Sequence, residues 1–220
     1  TGNKFEFRML GSSNSIACAN IMLNAAVAES LKRYADQLEK ADDFESALHD
    51  MIRQVIKDHK RIIFNGNGYD ESWIREATEQ RGLLNLRTTP DALPTILEKK
   101  NVDMLTAHKV FSVAEIQSRY EITLENYCKS VNIEALTMVD MARKEILPAV
   151  EAYVRDLSDT LRAKKAAVPG AAAKYETGLI TRLSALTDEI DDAAAALERA
   201  MIQYKAIGDI TEAANMIRDV

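Results

Sequence analysis

Leu179-Ile180-Thr181-Arg182-Leu183-Ser184-Ala185-Leu186-Thr187-Asp188-Glu189-Ile190-Asp191-Asp192-Ala193-Ala194-Ala195-Ala196-Leu197-Glu198-Arg199-Ala200-Met201-Ile202-Gln203-Tyr204 decides the fold class. Leu179, Leu183, Leu186, Ile190, Ala193, Leu197, Ala200 and Tyr204 fall at alternating steps of four and three, a heptad seam that needs a partner helix. Upstream, Leu136, Val139, Ile146, Val150, Val154, Leu157 and Leu161 form a helical stripe between about Ile133 and Lys165. Pro148 interrupts that stripe, which predicts a kink and not a stop, because the stripe resumes. Val168-Pro169-Gly170 separates the two patterns, so they are expected to form a long antiparallel hairpin. Gly208 ends the second helix, and Asp209 with Glu212 starts a short terminal one.

Composition points the same way. Only 8 Gly and 4 Pro in 220 residues, with 47% hydrophobic and 28% charged residues, fit a folded, mainly helical chain. A net charge of −6 argues against general nucleic-acid binding, since no basic stripe offsets repulsion from phosphates. Cys18 and Cys128 are far apart in apolar helical patterns, which is neither a disulfide framework nor a metal knuckle and fits a reducing cytoplasm. No apolar run reaches membrane-spanning length, so no membrane partner is expected.

The first half reads as shorter helices. Ser15 can cap a helix whose apolar stripe is Ile16, Ala19, Leu23, Ala26, Val27 and Leu31, expected to pack on a sheet. Asp42 with Glu45 resembles a capping box for a helix burying Leu48, Met51, Ile52, Val55 and Ile56. His49 and His59 are ten apart, too far for an i,i+4 metal pair. Arg61-Ile62-Ile63-Phe64 reads as a short extended run ending in Asn65-Gly66-Asn67-Gly68, whose Asn-Gly pairs favour positive φ and tight turns. Asp70 caps a helix through Gln80 that Gly82 ends, and Trp73 in its first turn is a packing anchor. Thr89-Pro90 opens a helical turn with Pro at its first position, and Pro94 breaks the region that follows. Ser112 with Glu115 makes a capping box, with Phe111 and Ile116 as its hydrophobic staple.

Lys4-Phe5-Glu6-Phe7-Arg8-Met9-Leu10 is different. Its period of two predicts a β-strand with Lys4, Glu6 and Arg8 on one face and Phe5, Phe7 and Met9 on the other. One reading is an edge strand with a solvated face. The other is an active-site strand, with Glu6 holding a divalent cation and the flanking cations holding anionic substrate groups.

Thr1 to Ser13, followed by Asn14-Ser15-Ile16-Ala17, resembles the last catalytic strand of glutamine synthetases, where a basic residue, a glutamate and an arginine alternate before a loop and a helix. The likeness is closest to the type III branch. Phe64-Asn65-Gly66-Asn67-Gly68-Tyr69, Asn132-Ile133-Glu134-Ala135-Leu136-Thr137-Met138 and Ile146-Leu147-Pro148-Ala149-Val150 carry it onward, and it fades after about Pro169. Leu93-Pro94-Thr95-Ile96-Leu97 resembles the stretch before the closing helices of that catalytic domain. The resemblance implies the tail of a longer enzyme, and the start at Thr1 without an initiator Met is read the same way. Residues 1–130 would end the catalytic domain, contributing a mainly α fold with one or two strands left over from its sheet. Residues 131–220 would be a helical hairpin extension with a break near 168–175.

The implied activity is ATP-dependent ligation of ammonia to glutamate through γ-glutamyl phosphate. By resemblance Glu6 is a metal ligand, and Arg8 neutralises phosphate and stabilises the acyl phosphate as ammonia attacks. Lys4 stands where many members carry a nucleotide-contacting arginine. Mg2+ (or Mn2+) and ATP would serve the full-length parent, none binding tightly to this piece, which is expected to be inactive alone. The implied partners are the N-terminal remainder of the enzyme and further copies in a double ring, in the cytoplasm. The alternative is a non-catalytic helical assembly or regulatory module in which Glu6 and Arg8 are incidental. Asp188, Glu189, Asp191 and Asp192, like Lys164 and Lys165, read as solvated helix face.

Overall fold

The computed structural model describes Gly11 and residues 14–220. Every regular element among them is helical and none is a strand, so the mainly α class holds. The helices are α1 (Ala17–Leu38), α2 (Phe44–His59), α3 (Glu71–Arg75), α4 (Thr89–Ala92), α5 (Lys99–Ala107), α6 (Val113–Met141), α7 (Leu147–Ala167), α8 (Lys174–Lys205) and α9 (Ile210–Arg218). The strand expected over Lys4–Leu10 lies outside the described residues. The extended run expected at Arg61–Phe64 is instead a 3-10 turn over Lys60–Ile62, extended only from Ile63. The Ile63 N–H is taken by the Lys60 carbonyl at 3.1 Å, so the donor a strand ladder needs is already used within the turn.

Two compact units divide the chain. The first comprises the described residues of Thr1–Arg87 with Thr95–Gln117; the second is Thr88–Pro94 with Ser118–Val220.

The first unit has a small core. Ala25, Leu105 and Ile116 are buried together, with Met22, Ile96, Leu97 and Phe111 packed against them. The capping box at Ser112 forms as expected. Glu115 Oε2 accepts from the Ser112 N–H at 2.7 Å, and Ser112 Oγ accepts from the Glu115 N–H at 3.3 Å. The expected stripe of α1 is corrected: Ile16, Val27 and Leu31 are exposed, and the helix packs through Met22 and Ala25. In α2, Met51 is buried, but Ile52 and Ile56 are exposed. Its cap is Asp43 and not Asp42. Asp43 accepts from the N–H groups of Glu45 (3.1 Å) and Ser46 (3.4 Å) and from the Ser46 hydroxyl (2.6 Å), so the N-cap stands one residue later, with Ser46 and not a glutamate at the third helical position.

Asp70 caps α3 by accepting from the Ser72 N–H at 2.8 Å, and Gly82, at φ +61°, turns the chain after a π-turn over Glu76–Gln80. Neither Gly66 nor Gly68 takes positive φ. Gly66 is needed for space: a Cβ there would meet the Phe64 ring at 2.7 Å.

In the second unit α6 runs into a π-turn over Ala142–Ile146 and then α7, with Pro148 in the second position. The π-turn adds one residue per turn and rotates the stripe. Ala135 and Val139 before it and Ala142 at its first residue are buried, whereas afterwards the inward positions are Leu147, Val150, Val154 and Leu157. Leu136 and Ile146, both expected inside, are therefore exposed.

α7 and α8 form the expected antiparallel hairpin. Lys164 pairs with Glu176 near the turn, and Arg143 in the π-turn pairs with Glu198 at 2.6 Å, so numbers fall along one arm as they rise along the other. The inward positions of α8 are Glu176, Ile180, Leu183, Thr187, Ile190, Ala194, Leu197, Met201 and Tyr204. Leu179, Leu183, Ile190, Leu197, Ala200 and Tyr204 are half-buried as expected, whereas Leu186 and Ala193 are exposed and the residues one further on, Thr187 and Ala194, turn inward. Thr187 is tolerated inward because its hydroxyl bonds back to the Leu183 carbonyl at 2.9 Å, which satisfies the polar group. Lys164, expected in solvent, is paired with the buried Glu176.

At the far end α9 packs Ala213, Ala214 and Ile217 inward and lies against α4, where Pro90 is buried. The cap of α4 is Thr88, one residue ahead of expectation, and Pro90 takes the second helical position.

Candidate functional site

Lys4, Glu6 and Arg8 lie outside the described residues. What the structure describes is how the chain leaves that segment. Gly11, at φ +137°, accepts the Asn14 N–H at 2.9 Å, a tight turn at a conformation suited to glycine. Ser15 Oγ then accepts the Ala17 N–H at 3.2 Å, but the N-cap of α1 is Ile16, one residue later than expected and without a side-chain cap bond.

α1 is held at two levels. Met22 and Ala25 sit in the core cluster, and one turn on, Glu29 Oε2 lies 2.9 Å from His108 Nε2 at the end of α5. Glu29 also accepts from Arg33 Nε at 2.7 Å. The His108 bond, then the Arg33 bond, hold the Glu29 carboxyl below the usual carboxylate range. Glu29 and His108 are 79 residues apart, and nothing in the local pattern of either announces the other.

A second constellation surrounds Trp73. Its ring stacks on Phe64 with centroids 3.7 Å apart, and the Arg81 guanidinium lies 4.9 Å from the Trp73 ring centroid. Arg81 donates to the carbonyls of Arg61 (3.1 Å) and Ile63 (2.8 Å) and to Glu76. Arg61 returns the favour by donating to the carbonyls of Arg81 and Gly82, each at 3.3 Å. Trp73 is thus a packing anchor, as expected, and the two arginines that clasp its loop carried no sequence signal.

An open groove of about 730 Å³ follows the π-turn of the second unit, lined by Ile133, Leu136 and Val139 with Asp140, Arg143 and Glu198. Arg143 is paired with Glu198 and Lys144 with Asp140, so these charges are compensated within the chain. Near the hairpin core, burial pushes the Cys128 thiol up, which keeps it protonated and a poor nucleophile. Asn132 Oδ1, one turn on, is buried without a hydrogen-bond partner.

Among the described residues no group of three or more His, Cys, Asp or Glu could hold a metal ion. His49 Nδ1 lies 2.9 Å from the Glu45 carbonyl of its own helix, and Asp188, Glu189, Asp191 and Asp192 are exposed on α8. No described helix is long and apolar enough to cross a membrane.

Residues 47–165, from α2 into α7, match the family model of the glutamine synthetase C-terminal domain. A glutamine synthetase of Butyrivibrio fibrisolvens is 36% identical over 201 residues, 88% of this chain and 28% of that protein. A type-3 glutamine synthetase of Dictyostelium discoideum is 37% identical over 164 residues, covering 73% of this chain and 22% of that protein. A glutamine synthetase of Bacteroides fragilis (strain YCH46) is 33% identical over 165 residues, with the same coverage of 73% and 22%. The chain thus spans between 22% and 28% of the length of these relatives.

Proposed function

The chain belongs to the glutamine synthetase family through its C-terminal domain, and from that premise we propose that it serves as the C-terminal part of an ATP-dependent glutamate–ammonia ligase. The observation that carries this reading is the breadth of the likeness: 88% of the chain aligns with one glutamine synthetase. Lys4-x-Glu6-x-Arg8 adds the chemistry. In this reading residues 1–130 complete the catalytic domain and 131–220 form the helical extension, the division falling within α6.

Glu6 is one carboxylate, whereas a magnesium ion takes about six oxygens. With no other cluster of ligand types among the described residues, the remaining ligands are assigned to the rest of the enzyme. Bound ATP with Mg2+ (or Mn2+) supplies the phosphoryl group that converts the glutamate γ-carboxylate to an acyl phosphate. Arg8 neutralises the phosphate oxygens while ammonia displaces phosphate, a role suited to a planar, always-charged guanidinium. Lys4 contacts nucleotide. This piece alone is inactive. Further copies in a double ring, in the cytoplasm, complete the reading.

The test is glutamine formation by the full-length parent, wild type beside Glu6→Gln, with ATP and magnesium supplied. The substitution keeps shape and removes the ligand charge. Turnover is expected to fall at least a hundredfold with the fold intact. Near-normal turnover makes the opening segment structural and favours a helical assembly or regulatory module.

A further inference from the structure

α8 carries two stripes of inward or apolar positions, and they share one row of residues. The first runs through Ile180, Thr187, Ala194 and Met201, with Leu183, Ile190, Leu197 and Tyr204 beside it. On the far side of that shared row stand Leu179, Leu186, Ala193 and Ala200, each seven residues from the last. A seven-residue repeat keeps them in one line along the helix. Leu186 is 41% exposed and Ala193 is exposed, so the middle of this outer line is open.

Beside Ala193 lies an apolar hollow of about 170 Å³, between α8 and the end of α6. Only apolar residues line it, among them Met138, Ala142, Ile190 and Leu197. It is a hole for an aliphatic knob.

The charges along the outer line are ordered. Arg182 precedes Leu186, and Glu189 and Asp192 follow it. All three are exposed, and none has an ion-pair partner among the described residues. Glu198, by contrast, is taken by Arg143.

That order selects the occupant. A second α8, run antiparallel about a two-fold axis at Leu186, sets each residue before 186 against the one equally far after it. Leu179 then falls on the partner's Ala193, a large residue over a small one with the hollow beside it. Arg182 comes opposite the partner's Ile190. The partner's Glu189 is then about 1.5 Å away along the axis and the partner's Asp192 about 3 Å, within the reach of a guanidinium. The two-fold makes each contact twice. A parallel copy would set Leu179 on Leu179, Arg182 on Arg182 and Glu189 on Glu189, which like charges disfavour.

We infer that the outer face of α8 is a docking surface for a second copy of this chain, paired antiparallel through Leu186 with Arg182 against the partner's Glu189 and Asp192. Every residue in it belongs to the second unit. The surface would serve the further copies of the proposed function, but it stands on α8 and the end of α6 and not on the ligase reading. One helix face is a narrow interface, so the pairing of this chain is weak and concentration-dependent.

Sedimentation equilibrium of the 220-residue chain, from micromolar to millimolar concentration, tests it. A monomer–dimer equilibrium is expected. Arg182→Glu sets acid against acid and should weaken it at least tenfold with helix content unchanged, and adding Glu189→Arg should restore it. A chain that stays monomeric overturns the inference, as does a dimer indifferent to Arg182→Glu or a loss that Glu189→Arg leaves unrepaired. Cross-linking gives a second reading. With Cys18→Ser removing the exposed thiol, Leu186→Cys should form a disulfide-linked dimer in oxidised glutathione, and Asp188→Cys should not. Equal cross-linking at the two positions, or none at 186, overturns the inference. Failure of the ligase reading would appear in the Glu6→Gln assay and leave these results standing.

Discussion

The hairpin of α7 and α8 and the first unit use similar residues to opposite ends. Along α8 the inward positions recur at steps of four and three for eight turns, and ion pairs close both ends of the hairpin. In the first unit, by contrast, Ala25, Met51, Leu105 and Ile116 are the buried apolar residues among those described. Ile16, Val27 and Leu31 on α1, and Ile52 and Ile56 on α2, stay exposed. A periodic pair of helices can bury its own stripe, because each arm is the other's partner. Alanine-rich α1, beside its short neighbours, covers only one side of itself.

The largest expected effect breaks that contrast at its weaker side. Leu105 is fully buried in a small cluster, so Leu105→Ala should cost about 4 kcal/mol. Hydrogen exchange should then show the first unit opening while α7 and α8 keep their protection. Simultaneous loss in both would mean the two units fold as one.

A somewhat smaller effect sharpens the other side. Met201 is buried and Leu186 is 41% exposed, although a count of leucines alone puts Leu186 in the seam. Met201→Ala should cost about 3 kcal/mol and Leu186→Ala less than about 1 kcal/mol in urea unfolding. Reversed costs would restore the register read from the leucines.

The mildest effect is acid sensitivity. The first unit holds the carboxyls of Glu29, Asp43 and Asp70 below their usual range, through His108 in the first case and through Ser46 and Ser72 in the others. In the second unit Lys164 does the same for Glu176, and Arg218 for Asp219. A depressed carboxyl stabilises the fold above its unfolded value and loses that contribution as pH falls through the folded one. These carboxyl contributions should therefore be fully present at neutral pH, well above the ordinary carboxylate values of about 4. Below that the first unit should lose exchange protection first, since its small core leaves less in reserve. Lys164→Met should remove the acid response of the hairpin turn alone.

What the sequence could and could not tell follows from range. Caps are local, so the Ser112–Glu115 box is read directly, and Asp43 is missed by one residue because two aspartates compete for the position. Periodicity is legible until something shifts its phase. The π-turn before Pro148 does this once, and at Thr187 a backbone-directed hydroxyl lets a polar residue face inward where a leucine is next to it. Contacts between distant residues were not legible at all: Glu29 with His108, Arg81 with Arg61, and Arg218 with Asp91 depend on the fold. For the site, the alternating charges of Lys4, Glu6 and Arg8 were plain in the sequence, and they remain an argument from pattern and resemblance.

The paired arginines at Arg61 and Arg81 have a further consequence. Each donates to carbonyls on the other's segment, so the two stems of the 65–80 excursion are fastened below its tip. The cost of closing a loop grows only slowly with its length, whereas losing a fastened stem costs it all at once. Among the described residues nothing lies within 4 Å of a Cβ placed at Gly68. Extra residues grafted at that tip would lengthen the excursion without unpicking its base, which makes it the natural place on this unit to carry a reporter.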